Sequence, residues 1–494
     1  MVFNSIDFLI FFPIVTAVYL ILPKKVKYIW LLVASYYFYM SWNPKYIVLI
    51  VFSTVVTYAM GLIMDKAKSV KAKKGILACG IVLNLGVLFV FKYLDFFFLN
   101  LNRALSVMHV SAVEKPFDFL LPVGISFYTF QAVGYSIDVY RGEIKAEKNF
   151  LKYALFVSFF PQLVAGPIER SKNLLHQIDD MGKRRLWTYD GIVSGFGMML
   201  WGLFMKMVIA DRVSIFVDSV YDNLFRAGTV ETVAAALGFS LQIYADFAGY
   251  SAIAIGCARV MGINLMENFN TPYFATGIAD FWRRWHVSLS TWFRDYLYIP
   301  LGGNRKGKLR KYLNLMITFL VSGLWHGAAW SYVIWGGIHG AFQIVEDLIK
   351  PVREKAEKRL NVKTEAFSYR FGQMFVTFVI TTFAWIFFRA HSMRVAGEFI
   401  RRMFTKWNPW ALFDDSIYGF GLDIHEVLIL FAAVLALLAV SIIRKRKGID
   451  IGEFLLGQNL WFRWAVFLIL IIVILVFGEY GIEFDSNKFI YFAF

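Results

Sequence analysis

The chain has 494 residues, 59% of them hydrophobic, 18% aromatic and only 17% charged. Soluble domains carry roughly 25% charged residues, so a soluble globular protein is excluded, and the lack of short alternating segments excludes a β-barrel. The net charge of +16 lies in short loops between apolar runs, which fits cytoplasmic retention and anionic lipid headgroups, not nucleic acid.

In chain order, residues 5–22 read as a first membrane span. No basic residue precedes it and no small-residue cleavage site follows it, so it does not read as a cleaved signal peptide. Pro23-Lys24-Lys25-Val26-Lys27 is a basic group and should be cytoplasmic, which puts the N-terminus outside. Spans at 29–39 and 45–64 follow, separated by Trp42-Asn43-Pro44. Residues 65–74 hold five lysines and read as a cytoplasmic loop. Residues 75–100 form another span and 101–118 a polar loop. Residues 119–140 contain Pro122, Gly124, Gly134 and Asp138 and read as broken or re-entrant. Residues 150–168 are interrupted by Pro161, Gly166 and Pro167, and 169–185 read as interfacial.

Spans at 191–209 and 230–260 flank an amphipathic stretch at 211–228. Beyond the Trp-rich centre, 331–349 is a span, 350–370 a charged cytoplasmic loop, and 371–388, 426–443 and 461–477 complete roughly a dozen apolar runs of near-bilayer length. The acidic stretches 413–426 and 479–485 suit the outside. The basic segment 394–406 is placed outside too, against the charge rule, unless it lies on outer headgroups. Cys79 and Cys257 both fall in apolar runs and read as packing residues. No internal repeat of the transporter kind is present.

The residues suited to chemistry concentrate in 281–330. Here Phe281-Trp282-Arg283-Arg284-Trp285-His286-Val287-Ser288-Leu289-Ser290-Thr291-Trp292 leads, through a basic loop, to Ser322-Gly323-Leu324-Trp325-His326-Gly327. An ionisable side chain inside an apolar run is costly and points to function. His326 lies about 24 Å along a helix from Arg310-Lys311, with Ser322 one turn before it on the same face. The alternative is a buried histidine bonded to a neighbour. Gly323 and Gly327 form a small-xxx-small pair that admits a close helix. Residues 281–296 read as one amphipathic helix at a headgroup boundary. Arg284, Ser288, Thr291 and Asp295 line its polar face, and Trp285, Leu289, Trp292 and Tyr296 its aromatic face. Asp280 should cap its start and Asp295 pair with Arg294 or Arg284. The alternative for His286 is a surface helix without chemistry.

An imidazole can take and return a proton near neutral pH, as a hydroxyl attacking an activated acyl group requires. Metal-ligand spacing is absent. Gly302-Gly303-Asn304-Arg305-Lys306-Gly307-Lys308-Leu309 approaches a phosphate loop but ends in Leu309 where Ser or Thr is needed. No Gly-x-Ser-x-Gly elbow occurs. His339 reads as packing. Phe489-Ile490-Tyr491-Phe492-Ala493-Phe494 is either an interfacial aromatic belt or a tail that inserts a phenol into a pocket.

Several motifs together resemble the membrane-bound O-acyltransferases, in their bacterial alginate O-acetyltransferase branch. They are Pro122-Val123-Gly124-Ile125-Ser126-Phe127-Tyr128, Leu163-Val164-Ala165-Gly166-Pro167, Tyr244-Ala245-Asp246-Phe247-Ala248-Gly249-Tyr250-Ser251, Asn268-Phe269-Asn270-Thr271-Pro272-Tyr273, residues 281–303 and Trp325-His326-Gly327. Ala252 stands where that family often has Asp. The resemblance implies an all-α polytopic membrane protein, a ring of about 11–12 transmembrane helices with re-entrant and amphipathic helices around a central funnel. Within a single transmembrane domain it implies N-terminal helices at 1–118, a catalytic core at 119–345 and C-terminal helices with an extracytoplasmic tail at 346–494. It implies His326 as the catalytic histidine and His286 as a second one, with Ser322, Trp325, Trp285, Arg283, Arg284, Asp246 and Asn270 in support and no metal.

The implied donor is a cytoplasmic acyl-CoA, acetyl-CoA in particular. The acyl group passes through the bacterial plasma membrane to an extracytoplasmic SGNH-type partner that esterifies a polysaccharide, with both termini outside. Related systems suggest that a tail tyrosine, here Tyr491, receives the acyl group on the way. D-alanyl transfer to teichoic acid from a carrier protein is the rival within the same chemistry. A transporter or lipid scramblase is the rival from another class.

Overall fold

The computed structural model describes residues 1–117, 121–163, 166–182, 187–480 and 490. All regular elements among these residues are helical. Among the described residues, six helices are long and apolar enough to cross a membrane: Pro44–Lys66, Val70–Val107, Tyr189–Asp222, Phe367–Arg389, Ile424–Lys447 and Leu460–Phe477. The chain is therefore an all-α polytopic membrane protein. The other expected spans fall on helices that are shorter or more polar, such as Ile6–Ile21 and Trp330–Arg359.

The chain divides into two compact units. The first comprises Met1–Met199 and Ser251–Met266. Its helices start where the sequence supplies caps. Ser5 Oγ accepts from Phe8 N at 3.2 Å, and Asn149 accepts from Leu151 N and Lys152 N. Inside this unit polar side chains bond to one another, as a lipid-embedded core requires. Ser53 Oγ donates to Asn84 Oδ1 at 2.6 Å and Tyr153 OH to Thr57 Oγ1 at 2.7 Å. Gly195 and Gly256 face each other so closely that a Cβ on either would meet the other's carbonyl oxygen, at 2.7 and 2.5 Å respectively.

Several boundaries differ from expectation. The lysine-rich stretch 65–74 breaks the helix only at 67–69, and a new helix starts at Val70. The expected polar loop after residue 100 stays helical to Val107. The Trp330–Arg359 helix likewise runs ten residues into the expected charged loop. Lys, Arg, Glu and Ala are strong helix formers, so charge marks the end of the apolar stretch and not the end of the helix.

The second unit comprises Leu200–Tyr250 and Glu267–Phe494. Its centre is a hairpin of the helices Gly307–His326 and Trp330–Arg359. The turn between them is tight because glycines meet. A Cβ on Gly323 would fall deep inside the Tyr332 carbonyl, and one on Gly336 would strike Phe319 O and approach Gly323 Cα to 3.2 Å. The basic segment 394–406 is carried largely by a strongly amphipathic helix, Met393–Thr405, capped by Ser392. Arg401 and Arg402 both bond to Glu398, which holds this half-buried carboxyl down at about 2.

Candidate active site

The 281–296 stretch is not one helix. It is two short ones, Ile278–Arg284 and Val287–Phe293, joined through an extended Trp285 and through His286 at φ 43°. Left-handed backbone is uncommon for a residue other than glycine and is found where surroundings enforce it. The kink turns His286 inward, where it is fully buried. Capping also differs from expectation. Glu346, on the neighbouring hairpin, accepts from Ile278 N at 2.8 Å and Ala279 N at 3.2 Å. Asp280 instead accepts from Thr276 N and pairs with Arg284 Nε at 2.9 Å. Arg294 pairs with Asp295, as expected, at 2.7 Å.

The two histidines meet. The His286 and His326 ring centroids lie 6.2 Å apart, and Trp325 packs edge-on to both, at 6.1 and 4.9 Å. Trp335 and Phe388 close around His326 at 5.0 and 5.5 Å, and Phe247 packs edge-on to His286 at 4.7 Å. His326 is 2% exposed.

Asn268 fixes the state of His286. Its Oδ1 accepts from the Ser288 hydroxyl at 2.9 Å and the Ser288 backbone N–H at 3.4 Å. A backbone amide can only donate, so this atom is the amide oxygen. His286 Nδ1 lies 3.0 Å from the same oxygen and must therefore carry the proton. Nε2 is left as the basic nitrogen of the ring.

Beside this pair lies a cavity of about 1260 Å³. Eight Lys and Arg side chains line it against six Asp and Glu. Among the pairs are Lys311–Asp347 at 2.7 Å and Arg353–Glu357 at 3.3 Å. Arg283 is exposed and makes no ion pair among the described residues. The cavity reaches Ser322, one turn before His326, and Val287, next to His286. Neither imidazole lines it, whereas Trp282 and Ser322 do.

The remaining sequence candidates are spread around this centre. Trp285 stacks on Phe281 at 5.4 Å and packs against Trp385 at 5.0 Å. Arg284 lines the cavity. Asn270 is exposed, and its backbone N–H bonds to Arg284 O at 2.9 Å; its neighbour Asn268 is the one that reaches His286. Asp246 belongs to a separate buried ion cluster with Lys206 and Asp211. Tyr491 lies outside the described residues. His339 is fully buried among Phe281, Trp282 and Trp335. Sequence reasoning missed Asn268 and Lys206. A lone lysine in the apolar run 191–209 was a usable signal, because such a charge needs a buried partner.

The family model of the membrane-bound O-acyltransferases matches residues 143–390. A protein of Pseudomonas syringae pv. tomato named "Probable alginate O-acetylase AlgI" is 37% identical over 88% of this chain and 81% of its own length. A peptidoglycan O-acetyltransferase of Helicobacter pylori is 36% identical over 76% of this chain and 73% of its own. A teichoic acid D-alanyltransferase of Bacillus subtilis is 28% identical over 54% of this chain and 67% of its own. With the histidine pair at its centre, the chain belongs to the membrane-bound O-acyltransferase family and is a membrane acyltransferase of the O-acetylating kind.

Proposed function

We propose that this enzyme takes an acetyl group from cytoplasmic acetyl-CoA and delivers it through the bacterial plasma membrane toward a polysaccharide outside. The observation that carries this reading is the basic cavity reaching Ser322, one turn before His326 of the buried imidazole pair. Its volume exceeds the 300–1,000 Å³ usual for drug-sized ligands, which suits a nucleotide thioester. Lys and Arg in excess suit phosphates. The helix 307–326 begins in a basic loop, so the cavity mouth is assigned to the cytoplasm by the positive-inside rule.

In this reading His326 removes the proton from an acceptor hydroxyl as its oxygen attacks the thioester carbonyl. The C–S bond breaks, and the CoA sulfur leaves and regains a proton. His286 holds or returns a proton beside it. The acceptor is Tyr491 of the C-terminal tail, or a partner hydroxyl. A phenol with a pKa near 10 needs such a base, and its aryl ester stays reactive enough to pass the acetyl on to an extracytoplasmic SGNH-type partner. Both termini then face outside.

Purified protein in liposomes, given labelled acetyl-CoA, should release CoA and carry label on Tyr491 or pass it to the acceptor. No donor consumption would overturn the reading, and transport or lipid flipping without it would support the transporter class. Dependence on an acyl carrier protein would favour the D-alanyl-type donor. The cavity makes its own prediction. Arg283→Glu should raise the KM for acetyl-CoA roughly tenfold, the cost of one charge-assisted hydrogen bond, with kcat little changed. An unaltered KM would move the donor elsewhere.

Asn268 supplies another test. Asn268→Ala frees the His286 tautomer and should cost roughly tenfold in rate. Asn268→Asp keeps the acceptor for Nδ1–H but adds a negative charge that stabilises the imidazolium. It should restore rate while moving the acid limb of the pH profile to higher pH. A profile unchanged in Asn268→Asp would show that His286 does not titrate in the rate-determining step.

A further inference from the structure

We propose that the buried Lys206–Asp211–Asp246 cluster is the socket into which this chain's own C-terminal segment docks. The proposal rests on the reading above in one respect: that the segment carries the acyl acceptor, Tyr491.

Lys206 Nζ forms ion pairs with Asp211 Oδ1 at 2.7 Å and Asp246 Oδ1 at 2.8 Å, with all three side chains no more than 4% exposed. Two carboxylates against one ammonium leave an excess negative charge, which burial makes costly unless further donors reach it. One such donor comes from the tail: Ile490 N–H bonds Asp246 Oδ2 at 2.9 Å. The near end of the same segment is held at the same place. Arg212, next to Asp211, donates to Phe477 O at 2.8 Å and to Glu479 Oε1 at 2.7 Å. Glu479 N–H in turn bonds Met207 O at 3.0 Å.

The described residues at both ends of the segment, Glu479 and Ile490, thus bond to this cluster or to its chain neighbours. Lys206 and Met207 lie in a wide π turn, Phe204–Ala210, a distortion often found at functional sites. Asp246 is followed by Phe247, whose ring packs on His286 at 4.7 Å. Docking at Asp246 therefore fixes the residue before Tyr491 on the same helix that carries Phe247.

Hydrogen exchange of the C-terminal peptide in the full-length, detergent-purified protein tests the docking. Ile490→Pro deletes the donating N–H without touching the buried cluster; Asp246→Leu deletes the acceptor. Both should raise exchange of the segment at least tenfold while the Gly307–His326 helix stays protected. The protected helix shows that each variant has folded. Unchanged protection of the segment in Ile490→Pro would overturn the socket. A loosened segment with undiminished acetyl transfer would uphold the socket and overturn Tyr491 as acceptor.

Discussion

His326→Ala is expected to lower acetyl transfer by between about a hundredfold and ten-thousandfold, the range a positioned general base supplies. The measurement is the rate of label transfer from saturating acetyl-CoA by purified protein. The imidazole is enclosed by Trp325, Trp335 and Phe388, so truncation leaves a void, and folding needs its own control. Binding of CoA at the cavity should survive, because the cavity wall includes Ser322 but not His326. His286→Ala provides the contrast. If the two rings act as a unit, the double variant loses no more than the worse single one, since groups that work together are far from additive. A His326→Ala enzyme that kept more than a tenth of its rate would send the search for the base elsewhere.

Why one histidine was legible and the geometry of the other was not follows from where each sits. His326 ends a regular helix, so its depth and its Ser322 neighbour follow from helical rise alone. His286 sits at a positive φ between two short helices, and nothing about a histidine announces a left-handed backbone. A continuous helix through 281–296 was the natural reading of its periodicity, and it places the polar and aromatic faces wrongly. Asn268 and Asn270 are two residues apart in an irregular segment, so the sequence offers no reason to prefer either; backbone direction decides. The spans were legible because apolar length is a physical requirement of the bilayer. Their ends were not, because helices such as Val70–Leu88 and Trp330–Arg359 absorb charged residues without unwinding. Asp246 enters only through the family motif, and its partner Lys206 lies 40 positions away, beyond any local pattern.

Gly323→Val is expected to be the most damaging substitution to the fold of the site. The clash involves the Tyr332 main chain, with Val333 Cα only 3.3 Å from the added atom, so no side-chain rotation relieves it. Overpacking of a core costs typically 1–3 kcal/mol, and here the helices themselves must separate. Separation carries His326, three residues on, away from Trp335, which stands beside Gly336 on the opposing helix. Transfer should therefore fall with stability, not after it. Gly337→Val is the matched control. A Cβ there meets only Leu320 Cδ2, at 3.4 Å, an ordinary contact with a side chain that can give way. Equal amounts of folded protein from both variants, measured by thermal unfolding in detergent, would mean that the hairpin is not held by this glycine contact. A fall in Gly323→Val alone, with transfer lost in parallel, ties the position of the His326 imidazole to this close approach of the two helices.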